Sequence, residues 1–500
     1  MGTYTKTSHN RAIWELAGQV TTFHASKIPF RIDHGSTNST RTRDPSTPAL
    51  NISHLNHILS IDKNTFTAVV EPNVPLDALL TGTLKHGLMP PVVMEFPGIT
   101  VGGGFSGASG ESSCWKEGLF DCCITEIEVI LGDGRIVRAE KGGLNADLFE
   151  SARCSLGTLG VVTLLKVRLI EAKKYVELTY HRTGSVQEHI DMLERLCDDK
   201  EKSLDLQFIE GILFSPTHGT VITGRMVSKL DRSLPFQRFD RATSPWYYRH
   251  AKGTPSPTHT EIVPIESYLF RYDRGAFWTA ESFFDYWKIP SNKFTRTIAN
   301  PLLKTRAVYR GMHACGGPEE SIVQDLMLPI KSSVKFVEYV KNELDIWPLW
   351  VCPIRRKGEA WGSPFWKIKK QKEIEKKSHS ELTHSAGELT INFGVWGGMF
   401  EDPKEFRKVN RRMEEVLREL HGMKVLYAYS FYTEDEFWNL YDKQHYEAMR
   451  RKWGAEALPS VWDKIKRKEA KPIDIHPAIL SVLQIWPLGG LYTGWIALFG

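Results

Sequence analysis

Five hundred residues are enough for two or three domains with full cores, and 41% hydrophobic with 25% charged residues is the balance of an ordinary soluble globular chain rather than a disordered one. The net charge of +5, from 64 basic against 59 acidic residues, is too even for a nucleic-acid binder, although it suits small anionic cofactors. Seven cysteines, odd in number and without C-x-x-C spacing, argue for reduced thiols and against a zinc site.

The first residues, MGTYTKTSHNRAIWEL, contain no apolar core of a secretory signal, so the Asn38-Ser39-Thr40 sequon is expected to stay unmodified. Residues 25–41, ASKIPFRIDHGSTNSTR, read as a short strand at 30–32 and a loop of Gly, Ser, Thr and Asn that offers backbone donors and hydroxyls together. A strand is expected at 66–70. A helix follows at 76–86, with Leu76, Leu79, Leu80 and Leu84 at helical spacing and Gly87 as its stop.

The densest signal is PGITVGGGFSGASGESSCWKEG, residues 97–118, with glycines at 98, 102, 103, 104, 107 and 110 and apolar Ile99, Val101 and Phe105 between them. A flexible linker would be polar, so this stretch reads as a buried ligand cradle whose glycines let a phosphate or a flat cofactor approach the backbone. Gly102, Gly104 and Gly107 satisfy G-x-G-x-x-G, but Pro90, Pro91 and Pro97 spoil the preceding strand and 109–113 do not read as a helix, against a Rossmann turn. There is no P-loop motif either.

Residues 124–131 alternate, and Asp133-Gly134 turns them into 135–139 as a hairpin. A short helix at 146–152, a second glycine turn at 155–160 and a β-branched strand at 161–170 complete an α+β unit of about 170 residues. In the second region, strands at 205–214 and 220–226, a strand at 323–328, a helix at 331–343 and an apolar run at 347–354 imply a sheet covered on one side. Tyr268, Phe270, Tyr272, Phe277, Trp278, Phe283, Phe284, Tyr286 and Trp287 cluster there; most read as core, with some left for an apolar pocket. The run KIKKQKEIEKK at 367–377 reads as a solvated face, its aromatic neighbours leaving room for a membrane-surface contact.

Four of these stretches in order, IDHGSTNSTR, PGITVGGGFSGASGESS, EVILGDGRIVRA and CSLGTLGVVT, resemble the FAD-binding domain of the vanillyl-alcohol-oxidase (PCMH) flavoprotein superfamily. HGSTNSTR, GESSCWKEGLF, IEGILFSP with VITGRM, QDLMLPI, PLWVCPI and EFWNLYDKQHYEAMRRKWG are similar to its Δ24-sterol reductase (DIMINUTO/seladin-type) branch, from about residue 28 to 466. The resemblance implies an α+β fold: a two-subdomain PCMH-type FAD-binding domain over 1–174, then an α+β substrate or cap domain over 175–470.

It also implies the site. His34, Gly35, Ser36, Thr37, Asn38 and Ser39 would hold the FAD pyrophosphate. Pro97, Gly98, Thr100, Val101, Gly102, Gly103, Gly104, Ser106, Gly107, Gly110 and Ser112 would run along pyrophosphate and isoalloxazine, with Gly157, Gly160 and Val162 near flavin and adenine. Asn38 falls where many members carry a flavin-bonded histidine, so FAD is expected to be non-covalent. The implied reaction is reduction of a carbon-carbon double bond of a sterol or sterol-like lipid, with NADPH as donor, FAD as hydride carrier and a protein acid for the proton. Glu111, just past the cradle, and Tyr432 are the catalytic acid candidates, and no metal is expected. Other superfamily chemistry, an O2-using oxidase or dehydrogenase of an alcohol, lactone or secondary metabolite, is the alternative, and a non-catalytic flavin-binding membrane protein is another.

Residues 477–500, PAILSVLQIWPLGGLYTGWIALFG, carry no charge and follow Lys464, Lys466, Arg467, Lys468 and Lys471, the pattern of an apolar segment with a cytosolic basic flank. The 471–500 tail is therefore expected to hold the protein at the cytosolic face of the endoplasmic reticulum membrane, with cytosolic residence as the alternative. Pro487, Gly489, Gly490 and Gly494 make an interfacial or re-entrant segment as suitable as a span.

Overall fold

The computed structural model describes residues 6–35, 39, 47–198, 205–315, 321–356, 389–400, 402–428 and 430–466. The sequence expectations on Ser36, Thr37, Asn38, the 367–377 charge run and the 471–500 tail lie outside them.

The first element is one the sequence reading passed over, a helix from Lys6–Ala25. Its His9, Ile13, Leu16, Ala17 and Val20 recur at helical spacing and are buried against the first sheet, while Trp14 on the outer side is 71% exposed. Strands β1 (Arg31–Asp33) and β2 (Ala49–Asn51) pair in parallel beside it. Then come β3 (Ile58–Asp62), β4 (Thr67–Val70), β5 (Leu88–Met89), β6 (Ile124–Ile130), β7 (Ile136–Glu140), β8 (Val161–Arg168) and β9 (Ile170–Glu171). Five of these form an antiparallel sheet in the order β3-β4-β8-β6-β7, with β5 and β9 paired apart. The hairpin β6–β7 turns where expected, with Gly134 at φ +90°.

The second sheet is built from β10 (Tyr175–Thr183), β11 (Phe208–Ser215), β12 (His218–Val227), β13 (Thr258–Pro264), β14 (Ser321–Pro329), β15 (Leu349–Arg355), β16 (Leu389–Met399) and β17 (Met423–Lys424). Its order is β13-β10-β12-β11-β15-β16-β14-β17, and every pairing is antiparallel. Side chains alternate between two cores, as the pleat demands. Ile209, Leu213, Val351 and Phe393 pack on one face with residues of the helices Val186–Asp198, Ile330–Tyr339 and Pro403–Glu419. Phe208, Ile212, Trp350 and Trp396 join the core shared with the first sheet. Helices thus cover one side, as expected; the other side faces the glycine segment. The whole is α+β.

The last described helices, Glu434–Leu440, Lys443–Lys452 and Val461–Ile465, turn back to the N-terminal half, packing with the first helix, Phe30 and Leu50. Tyr446 donates to Thr158 Oγ1 (2.9 Å), and Arg450 donates to the Thr158 carbonyl (2.7 Å). Those two bonds brace the second glycine turn from outside, where it forms part of the cavity described next.

Candidate active site

Between the two sheets lies a cavity of about 1430 Å³. Its wall takes residues from β1, the glycine segment, the 156–162 turn, the aromatic stretch 276–285, strands β14–β16 and the helix Val461–Ile465. Sequence positions hundreds of residues apart therefore meet around one space, larger than the roughly 300–1,000 Å³ of a single small-molecule pocket.

The glycine segment is not a loop throughout. Val101–Ser106 is a short helix capped by Thr100, whose Oγ1 accepts from Gly103 N at 3.1 Å. The amides of Val101, Gly102 and Gly104 donate to the carbonyls of Val74, Pro72 and Thr100. The first turn thus satisfies its own donors, and its glycines serve close approach. At Gly103 a Cβ would meet only Thr100 Oγ1, at 3.1 Å, so this backbone lies open. At Gly104, by contrast, a Cβ would come within 2.6 Å of Met94 Cε and 2.7 Å of Phe120 Cδ1, and at Gly102 within 2.7 Å of Pro72 Cβ. Those two glycines are demanded by packing.

Of the expected cofactor residues, His34, Ser39, Thr100, Gly102, Gly103, Ser106, Gly107, Gly110, Gly157, Gly160 and Val162 line the cavity. Gly157 adopts φ +69° in the second turn, and Ser39 Oγ donates across to the Tyr427 carbonyl at 2.9 Å. Gly35 (φ +71°) shapes the approach to the first loop without joining the wall. Pro97 and Gly98 face the other way, against Arg306: its Nη2 donates to the Pro97 carbonyl at 3.3 Å, and a Cβ on Gly98 would lie 3.1 Å from its Nε. Val101 and Gly104 are in the core, and Ser112 is buried behind the wall, accepting from Arg271 Nη2 at 3.2 Å.

Neither expected acid reaches the wall. Glu111 is fully buried; its Oε2 accepts from Ser112 Oγ (2.7 Å) and its Oε1 from Ser113 N (2.8 Å). Tyr432 packs with the core around the first helix. Adjacency to the cradle suggested Glu111, but the chain turns there and carries the carboxylate inward. Of the nine clustered aromatics, Phe277 and Trp278 line the cavity, whereas Tyr268, Tyr272 and Phe284 are core and Tyr286 is 44% exposed.

Several wall residues carry no sequence signal. Arg31, on β1, has Nε and Nη1 buried without a hydrogen-bond partner beside the first loop, with Nη1 3.8 Å from Asp33 Oδ1. Glu95 is 5% exposed, and its Oε1 has no partner. Burial pushes its carboxyl well above the ordinary carboxylate range, with nearby Glu111 and Glu210 adding to that and Arg271 offsetting part of it. Asp325 accepts from Tyr427 OH (2.6 Å) and Asn392 Nδ2 (2.7 Å), and burial raises it to about 6 against those two bonds. Phe277, Trp350 and Trp396 supply a continuous aromatic surface, with Phe277 and Trp396 centroids 4.2 Å apart and Trp350 stacked 5.9 Å from Trp396. Away from the cavity, His250, His259 and Glu261 bring three ligand-type atoms within 4.8 Å of one another.

Open glycine backbone, guanidinium donors without a hydrogen bond and a wide cleft fit an elongated diphosphate-bearing cofactor. Comparison with known proteins names it. Residues 12–140 match the FAD binding domain family. Over 431 residues the chain is 28% identical to the Delta(24)-sterol reductase of Mus musculus, covering 82% of this chain and 76% of that protein. The Delta(24)-sterol reductase of Arabidopsis thaliana is 28% identical over 465 residues, 87% of this chain and 79% of that protein. These likenesses support the Δ24-sterol reductase branch of the PCMH-type FAD-binding superfamily. A shorter likeness covers about a quarter of each chain: Cytokinin dehydrogenase 4 of Oryza sativa subsp. japonica is 30% identical over 135 residues, 27% of this chain and 25% of that protein. The 156–162 turn and the glycine segment from Ile99 to Gly110 form two parts of the cavity wall, and the aromatic face of the second sheet forms another.

Proposed function

We propose that this protein is an FAD-dependent oxidoreductase that reduces a carbon-carbon double bond of a sterol or sterol-like lipid, with NADPH as electron donor. The observation that carries the reading is the cavity itself, in a chain with these likenesses: open glycine backbone on one side and the Phe277, Trp350 and Trp396 surface on the other. Arg31, His34, Ser39, Gly103, Ser106, Gly107, Gly110 and Gly157 would hold FAD non-covalently, Arg31 meeting the charge of the pyrophosphate. When bound, the flavin supplies a hydride to the alkene.

The chain's own residues supply the rest. Stacked aromatic rings exclude water and fit a flat, rigid, apolar body, and the second region over 175–470 acts as the substrate-binding cap. Asn392 Oδ1 is buried without a hydrogen-bond partner beside Asp325 and Tyr427, a place for a lipid hydroxyl to donate. NADPH would enter the same cavity, because the sequence holds no second dinucleotide motif. Turnover of a Δ24-sterol with NADPH should give a product two mass units heavier; no product with NADPH, together with oxidation of an alcohol by O2, would reject the reductase in favour of an oxidase.

Membrane association at the cytosolic face of the endoplasmic reticulum belongs to the same reading. It rests on the uncharged stretch 477–500 and on Tyr286, Ile289, Phe294 and Ile298, exposed apolar residues in and beside the helices Glu281–Trp287 and Lys293–Ala299, next to cavity residues 279–285. Among the described residues no helix is long and apolar enough to cross a membrane. Cell fractionation of the full chain and of one ending at residue 476 decides it: full-length protein in the soluble fraction would reject membrane attachment.

A further inference from the structure

Reduction of an isolated double bond needs a proton as well as a hydride, and an alkene with no carbonyl to polarise it needs that proton from an acid held against it. Such an acid must stand on the cavity wall, keep its proton near neutral pH and not be engaged elsewhere. Five carboxyl groups line the wall, and Glu111 lies just behind it. Glu281 is engaged by Arg249, Asp463 by Ser460 and Lys466, and Asp285 is exposed to solvent, which leaves three to consider. Glu111 has both oxygens engaged behind the wall. Asp325 stands on the wall, but both its oxygens accept, from Tyr427 and Asn392, the arrangement that holds an ionised carboxylate.

Glu95 meets all three conditions. It lies on the wall between Met94 and Phe96, directly before the glycine segment, and Oε1 is without a hydrogen-bond partner. The ionisable groups that face it are Arg271, Glu111 and Glu210, with Tyr272, Cys114 and Cys352 around them. Arg271 is committed to Glu210, 2.9 Å away. Three buried carboxyls thus share one guanidinium, and the cluster is neutral when two of them hold protons. Burial raises both Glu111 and Glu95, and of the two only Glu95 stands on the wall with an oxygen unengaged.

We propose that Glu95 is the proton donor of the reduction, an inference that rests on the function proposed above. The π bond of the alkene breaks; one carbon takes a hydride from the reduced flavin, and the other forms its C–H bond as the Glu95 O–H bond breaks. The lipid gains two electrons and the flavin loses two. The Glu95 carboxylate recovers its proton from water once the product leaves.

The test compares wild type with Glu95→Gln and Glu95→Asp. Glutamine keeps shape and burial but has no acidic proton, so E95Q should bind FAD and be reduced by NADPH at the wild-type rate while its sterol-dependent reoxidation slows by about 10²–10⁴-fold. In flavin-free protein, infrared difference spectra across pH should show the band of a neutral buried carboxyl that is missing in E95Q. If E95Q loses flavin, E95D decides, since a shortened acid should slow the sterol step and enlarge its solvent isotope effect. Sterol reoxidation at the wild-type rate in either variant, or an unchanged carboxyl band in E95Q, overturns the assignment. A wild-type protein that binds flavin, shows the band and reduces no sterol rejects the function instead.

Discussion

Arg271 donates from Nε to Glu210 Oε1 at 2.9 Å, with its Nη2 also 2.9 Å from that oxygen, and neither side chain has any exposed surface. Glu210 Oε2 accepts further bonds from Trp350 Nε1 (2.8 Å) and Tyr272 OH (3.1 Å), so the pair ties β11 to β15 and to the aromatic stretch behind the cavity. Buried pairs of this kind gain little over an apolar core, but losing one partner strands a charge. Arg271→Met should therefore lower stability by ~3–5 kcal/mol in urea unfolding, whereas Glu210→Gln with Arg271→Met should recover much of that loss.

Gly103 and Gly104 are neighbours in one helix, yet their substitutions should separate. Valine at 104 must displace Met94 and Phe120, an overpacked core costing ~1–3 kcal/mol and a lowered Tm. Valine at 103 meets only Thr100 Oγ1 and intrudes on the cavity, so the protein should stay folded and lose flavin absorbance. Full flavin content in Gly103→Val would place the cofactor elsewhere.

His9 ties the first helix to the first sheet through Glu71 Oε1 (2.7 Å) and Glu128 Oε1 (3.2 Å). Burial works against its charge, but the bonds to the two carboxylates outweigh it and lift its pKa from 6.5 to about 9. A raised histidine contributes stability that is fully present below the unfolded value and lost as pH climbs through the folded one. The urea midpoint should therefore fall between pH 6.5 and about 9, by the equivalent of about 3 kcal/mol, and His9→Gln should remove that slope.

Acid precipitation should release all of the flavin into the supernatant, since position 38 is an asparagine with no nucleophile to offer. Yellow colour retained in the pellet would show a covalent bond, with His34 on the cavity wall as the first residue to examine.

Part of the cavity wall was legible because its signal is local: glycines 103, 107, 157 and 160 stand out in the sequence, and all four line the cavity. Glu95 was not, because a single carboxyl in VVMEFPG has no pattern. Its character comes from Arg271, Glu111 and Glu210, which only the packed second sheet brings near. Arg31 likewise stands out only through its buried donors, which make no hydrogen bond. Glu111 misled through adjacency, since being next in sequence to a cradle does not fix which way a side chain turns. The first helix does carry a signal, the 9-13-16-17-20 spacing of its buried residues.

The most direct test of the account is rapid mixing under anaerobic conditions. Protein whose flavin has been bleached by one equivalent of NADPH is mixed with a Δ24-sterol, and flavin absorbance is followed alongside mass analysis of the lipid. The account predicts that the absorbance returns in step with a two-mass-unit gain in the sterol, and that a sterol with a saturated side chain leaves the flavin reduced. Flavin that NADPH does not bleach, or that only O2 reoxidises while the sterol is recovered unchanged, would contradict it.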